Sequence, residues 1–306
     1  MSRLHIKSNF FLLCSIALFV LSLLSSCEKE VKIKLKDGES SLVVEGAVET
    51  GVPPYVILTK SIGFFSTIDL STLENSFIHG ATVTVSNGTK TITLKEYTLD
   101  TGATSKFSFY SIDTSNPAGS MIGEVDKYYT LTIIYNGKIY ESTTKIPNPK
   151  PMDTIWSGDP VKFGNVAEGA HTIYVNYKDP DTLGNYGIYY TQINSQGYFL
   201  SDDIVTDEFT NGSLQTKYPL TMGIDPAHKS DRANDSLGYV FQGDTVTLKW
   251  CATDKKVYDF WKTYVYASNS TGNPFSTPIN LKTNISNGGL GVWAGYGTVY
   301  TTIIVQ

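Results

Sequence analysis

Tyr128-Tyr129-Thr130-Leu131-Thr132-Ile133-Ile134-Tyr135-Asn136-Gly137-Lys138-Ile139-Tyr140-Glu141-Ser142-Thr143-Thr144 decides the fold class. Two runs rich in β-branched and aromatic residues alternate about Asn136-Gly137, a pair that tolerates the positive φ of both central positions of a type I′ turn. The stretch therefore reads as a β-hairpin. A second hairpin of the same kind is expected where 81–86 and 89–94 flank Asn87-Gly88. Upstream, 41–49 and 55–60 have strand character, and Pro53-Pro54 suits the connection between them because proline cannot donate to a ladder.

Strands at this short spacing, with no long helical pattern among them, imply an N-terminal immunoglobulin-like antiparallel sandwich over 41–146, without the Cys…Trp…Cys hallmark of true immunoglobulin domains. Pro147, Pro149 and Pro151 then make a stiff extended segment, so 147–152 is expected to be a linker. A second β-rich module is expected over 153–306, with strands at 171–177, 186–193 and 239–250 and a turn at Asp179-Pro180-Asp181. One amphipathic helix interrupts it near 254–267. Val257, Phe260, Trp261, Tyr264 and Val265 recur at helical spacing, Thr253 reads as the N-cap, and Asp254 suits the positive end of the helix dipole. That stripe is expected to pack against a sheet, with a ligand groove as the alternative. The β-branched 299–305, with Trp293 and Tyr296, is expected to close the second module.

The address lies at the other end of the chain. Arg3, His5 and Lys7 precede an apolar run over 10–24 of signal-peptide length. A comfortable transmembrane helix needs about 20 apolar residues. The run ends in Leu24-Ser25-Ser26-Cys27, which resembles the lipobox cut by the lipoprotein signal peptidase. Residues 1–26 are thus read as a lipoprotein signal peptide, Cys27 as the lipidation site, and 27–40 as a lipidated tether. Buried acyl methylenes contribute about 0.8 kcal/mol each, so a multiply acylated cysteine anchors stably without a spanning helix.

Composition narrows the function classes. Of three cysteines, Cys14 leaves with the signal and Cys27 is taken by lipid, so Cys251 is expected to be a small buried hydrophobe with no disulfide or cysteine-metal role. Removing Arg3 and Lys7 from 24 basic residues against 29 acidic ones leaves a mature charge of about −7, which disfavours nucleic acid. Gly289-Leu290-Gly291-Val292-Trp293-Ala294 fits the bare dinucleotide pattern, yet twelve residues after it leave no room for the required helix and second strand. Glycine-supported turns and close backbone approach explain it better. His79, His171 and His228 belong to no recognisable metal or triad motif, so no catalytic residue and no cofactor is expected. Asp202, Asp203, Asp207 and Glu208 form one acidic cluster, and Asp225, Asp231 and Asp235 another. Both read first as solvated loops, with loop-carboxylate calcium or a carboxylate-based hydrolase as alternatives.

Cys27-Glu28-Lys29-Glu30, Leu42-Val43-Val44-Glu45-Gly46, Pro54-Tyr55-Val56-Ile57-Leu58-Thr59, Asn273-Pro274 and Thr283-Asn284-Ile285-Ser286-Asn287-Gly288-Gly289-Leu290-Gly291-Val292-Trp293-Ala294-Gly295-Tyr296 together resemble the lipoproteins grouped as domain of unknown function 4249. The resemblance spans nearly the whole mature chain and implies a Bacteroidetes outer-membrane lipoprotein with a β-rich fold. It brings no catalytic residue. The usual company of such proteins implies a non-enzymatic binding or accessory role beside a TonB-dependent receptor in ligand or nutrient uptake, with a cell-surface hydrolase or carbohydrate-active protein as the alternative. Glu28 and Glu30 beside the anchor resemble surface-export signals, which implies exposure at the cell surface rather than toward the periplasm.

Overall fold

Asn136 and Gly137 take φ of 50° and 74° and turn the chain between β7 (Tyr128–Tyr135) and β8 (Lys138–Lys145), as the two-residue turn demands. The other Asn-Gly pair behaves differently. Gly88 is at positive φ, but Asn87 Oδ1 accepts from the N–H groups of Thr89 and Lys90, and residues 87–90 form a longer connection between β3 (Thr82–Ser86) and β4 (Thr91–Thr93). A short polar side chain bonding the backbone ahead of it has replaced the expected two-residue turn.

The computed structural model describes residues 40–63, 69–100, 102, 106–116, 119–160, 168–227, 238–270, 277 and 279–306. The residues read as signal peptide, Cys27 and the residues read as tether up to Glu39 lie outside them, as do His228, Asp231, Asp235 and Asn273-Pro274. The described part is mostly β. A nine-stranded sheet runs in the order β12 (Phe199–Leu200), β11 (Tyr186–Ile193), β16 (Thr245–Thr253), β17 (Leu290–Ile304), β1 (Leu42–Glu49), β2 (Tyr55–Lys60), β6 (Lys106–Ser111), β5 (Lys95–Asp100), with β13 (Val205–Thr206) also paired to β11. One four-stranded sheet has the order β4, β3, β7, β8. The other has β14 (Leu214–Pro219), β10 (Ala170–Lys178) and β15 (Val240–Phe241), with β9 (Thr154–Pro160) on β10. Two helices accompany them among the described residues, α1 (Leu70–Ser76) and α2 (Lys255–Ser270).

Alternation along the central strands assigns the faces. Val44, Leu58, Tyr110 and Trp293 of the large sheet meet Val83, Val85, Leu131 and Ile133 of β3 and β7, a sandwich-like core. Farther along the same face, Tyr189, Leu248 and Trp250 meet Ile173 and Val175 of β10. On the opposite face Val257 and Phe260 of α2 pack against Ala47, Ile188, Cys251, Val292 and Ala294. Each fully buried aliphatic or aromatic side chain of this kind stabilises the fold by about 1.5–3 kcal/mol.

Two expectations are corrected here. The division at 147–152 does not separate two sheets, because β17 pairs in parallel with β1 on one side and antiparallel with β16 on the other. Ser40–Gln306 is one compact unit. The closing stretch therefore completes the shared sheet rather than a second module, and the large sheet contains a parallel pair. The prolines do extend the chain, but they lie packed across β17: a Cβ on Gly295 would sit 2.3 Å from the Lys145 carbonyl oxygen, and one on Gly297 2.0 Å from that of Pro147. The second correction concerns the helix, which runs on to Ser270 and is capped by Asp254 instead of Thr253. Asp254 Oδ1 accepts from the N–H groups of Lys256 and Val257, while its Oδ2 accepts from Thr144 Oγ1 at 2.6 Å and Lys145 N at 3.1 Å. One carboxylate thus caps α2 and ties it to the end of β8. Thr253 still belongs to β16, and its hydroxyl donates to the Gly295 carbonyl.

Cys251 is fully buried between β16 and α2, and burial pushes its thiol up to about 12. Since the thiolate is the nucleophile, its alkylation by iodoacetamide should be undetectable in the native protein and rapid in denaturant. Peptide mapping that finds Cys251 labelled in native protein at the rate of an unfolded control would contradict this packing.

Candidate functional site

Between β10 and β14 on one side and the β11 end of the large sheet on the other, the two layers part to leave a cavity of about 740 Å³. Its opening has a local cause. The β10–β14 register shifts between Val175 and Tyr177, and Lys217 of β14 holds a positive φ of 52°, its N–H bonded to Asn176 Oδ1 at 2.8 Å. A bulge bends the strand that carries it, and a lysine at positive φ persists only where neighbours fix it. Tyr177, Tyr189, Tyr218 and Trp250 form aromatic walls, with Val175 and Leu220 behind them. The segment 202–206 covers one side, and the last turns of α2 contribute Lys262, Val265, Tyr266 and Asn269.

The polar groups of the wall have distinct environments. Tyr189 donates to Asp203 Oδ2 at 2.9 Å and accepts from Thr221 N at 3.0 Å, and burial raises its phenol far above the ordinary range. Burial pushes Tyr177 up to about 12, and its ring lies 5.7 Å from that of Trp250. Asp179 is 5 % exposed. Burial raises its carboxyl above its ordinary value and the nearby Asp207 charge adds to the rise, against the lowering effect of Gly212 N–H and of the Lys150 and Lys178 charges. Its one side-chain hydrogen bond among the described residues comes from Gly212 N at 3.3 Å. Trp250 Nε1 is buried with no acceptor among the described residues. Asp179 and Trp250 also border a second space of about 50 Å³ beside the proline segment.

Of the first acidic cluster, Asp202 and Asp203 line the cavity, Glu208 is exposed, and Asp207 is 3 % exposed and structural. Asp207 Oδ2 accepts from both the backbone N–H and the side-chain amide of Asn185, at 2.9 and 3.0 Å, and so joins the loop after β13 to the loop before β11. Hydrogen bonds to a charged partner are worth about 1.5–3 kcal/mol. Asp207→Ala is accordingly expected to lower stability by about 2–3 kcal/mol, read as a lower denaturant midpoint at unchanged slope. An unshifted midpoint would remove this role. Asp225 accepts from Ala227 N within its own loop. Among the described residues no three His, Cys, Asp or Glu side chains converge as a metal site. His79 bonds Glu96, and His171 bonds the Gly158 carbonyl, so neither points to chemistry at the cavity.

The helix packs against the sheet as expected, and its last turns also line the cavity. Val257 and Phe260 enter the core, while of the stripe read from the sequence Val265 alone reaches the cavity. Sequence reasoning missed Tyr177, Asp179, Tyr189, Tyr218 and Trp250. Alternation does place Tyr177 with Val175, and Trp250 with Leu248, on inward faces. Nothing local, however, says that the layers separate there.

Among the described residues no helix is long and apolar enough to cross a membrane. No curated protein matches the chain. A family model, Domain of unknown function (DUF4249), matches residues 28–302, most of the chain. The chain belongs to that family, Domain of unknown function (DUF4249).

Proposed function

We propose that the protein is a non-enzymatic, ligand-binding lipoprotein held by lipid on Cys27 at the outer membrane, facing the cell surface and working beside a TonB-dependent receptor. The observation that carries the binding role is the 740 Å³ cavity with its aromatic walls and few polar groups, the form that small-molecule sites take. The anchor is supported by the lipobox and by the short signal ahead of it. Hydrolysis is the weaker reading, because Asp203 and Asp207 are engaged by Tyr189 and Asn185 rather than left to act as a pair.

Three measurements test the proposal. Cys27→Ala should abolish incorporation of labelled palmitate and leave an uncleaved or soluble protein, whereas unchanged labelling would end the anchor. Purification from outer membranes without crosslinking should bring down a β-barrel receptor. Digestion of intact cells with a protease should remove the protein along with known surface proteins, and full protection would reverse the proposed orientation.

A further inference from the structure

The cavity's charges do not match its apolar walls. Asp179, Asp202 and Asp203 line it, against Lys262 as the one cation among the described lining residues. Asp179 is the informative one. It is 95 % removed from solvent, receives one long hydrogen bond, and has no ion pair with a described residue; Lys150 and Lys178 act on it only from longer range, and burial outweighs them. A buried carboxylate left so poorly satisfied costs free energy unless something else supplies donors or positive charge. The rings beside it suit the same partner. Tyr177 and Trp250 lie 5.7 Å apart in the wall, Tyr189 is the cross-strand neighbour of Trp250 and Tyr218 lies on the strand beside that of Tyr177, and aromatic faces attract cations. Tyr177 already accepts one ammonium on its ring, that of Lys150 at 4.8 Å, a geometry repeated by Lys217 over Tyr174 at 5.2 Å on the neighbouring strand.

We infer that the cavity selects an organic cation, a protonated amine or guanidinium on an apolar body, with the cation seated on Asp179 against the Tyr177 and Trp250 rings. This rests on the ligand-binding reading above and narrows it to a chemical class. Asp202 at the rim adds negative charge at the entrance, and Lys262 disfavours a second positive group on the ligand's outer end. The apolar body fits along Val175, Leu220 and Val265.

A charge series tests it on the full-length protein. 4-Phenylbutylamine, 4-phenylbutan-1-ol and 4-phenylbutyrate share one body and differ in charge, and their binding is read by saturation-transfer NMR and by tryptophan fluorescence. The amine is expected to bind at least tenfold tighter than the alcohol, and the carboxylate weakest. In Asp179→Asn the amine should fall to the level of the alcohol, whose own affinity stays the same and so reports an intact cavity. Should that variant not fold, Tyr177→Leu replaces it, with the amine weakened at least threefold more than the alcohol. Equal binding of amine and alcohol to the unaltered protein overturns the inference and leaves the ligand-binding reading standing. Binding of none of the three overturns both. An amine preference that survives Asp179→Asn removes the assigned seat.

Discussion

Cutting the chain after Asn284 is expected to abolish cooperative unfolding of the entire 40–306 unit, not of its C-terminal half alone. The cut removes β17, which joins β1, paired along Leu290–Tyr296, to β16, paired along Gly297–Ile304. It also removes Trp293, fully buried, whose Nε1 donates to the Tyr129 carbonyl at 3.0 Å and thereby joins the large sheet to β7. Loss of a buried tryptophan side chain alone costs about 3–5 kcal/mol, against a total stability of about 5–15 kcal/mol for a typical domain. The lost ladders and the exposed faces of β1 and β16 add to that. Circular dichroism should show no sigmoidal melting, and limited proteolysis should spare no fragment containing 41–146. Survival of a protected 41–146 fragment with its own transition would restore the division into independent modules.

Gly297→Ala and Gly295→Ala should be among the more damaging single methyls in the described residues. The added carbon would meet backbone oxygen, at 2.0 Å from Pro147 in one case and 2.3 Å from Lys145 in the other. A flexible side chain can turn away, but the main chain of a proline-containing segment cannot, so the strand and the segment must part. Overpacking in a fitted core costs about 1–3 kcal/mol, and a backbone clash stands at or above the upper end of that range. Thr298→Ala, next to Gly297, is the control and should cost little by comparison. A denaturant midpoint for Gly297→Ala equal to the control's would show that the crossing is looser than described.

What could be read from the sequence was whatever short-range chemistry specifies. The Asn136-Gly137 hairpin was legible because both residues must accept positive φ, and Tyr55–Lys60 and Tyr186–Ile193 were legible from alternation. The hairpin of β5 and β6 was not, since Lys95–Asp100 buries almost nothing and carries no apolar period. The helix was found, but its cap was placed one residue early because Thr253 and Asp254 are both competent N-caps. The choice was made at long range, by Thr144 and Lys145 bonding the Asp254 carboxylate. Pro147 to Pro151 were rightly extended and wrongly free. The glycines that receive them stand far along the chain, and no local rule connects the two. The cavity was illegible for the same reason: Asp202 and Asp203 were singled out by crowding of charge, whereas Asp179 looked like one more turn residue.

The parallel pairing of Val43–Glu49 with Leu290–Tyr296 also sets the order of events while the protein is being made. A ribosome releases β1 first and its neighbour almost last, so the sheet's middle seam cannot close until nearly the whole chain has appeared. Contacts this distant in sequence slow folding, because loop closure is opposed by entropy before the pairing compensates it. During that interval Leu42–Glu49 presents one bare strand edge to its surroundings, the kind of edge that pairs with the wrong chain. A chain stalled before Leu290 is the species expected to aggregate.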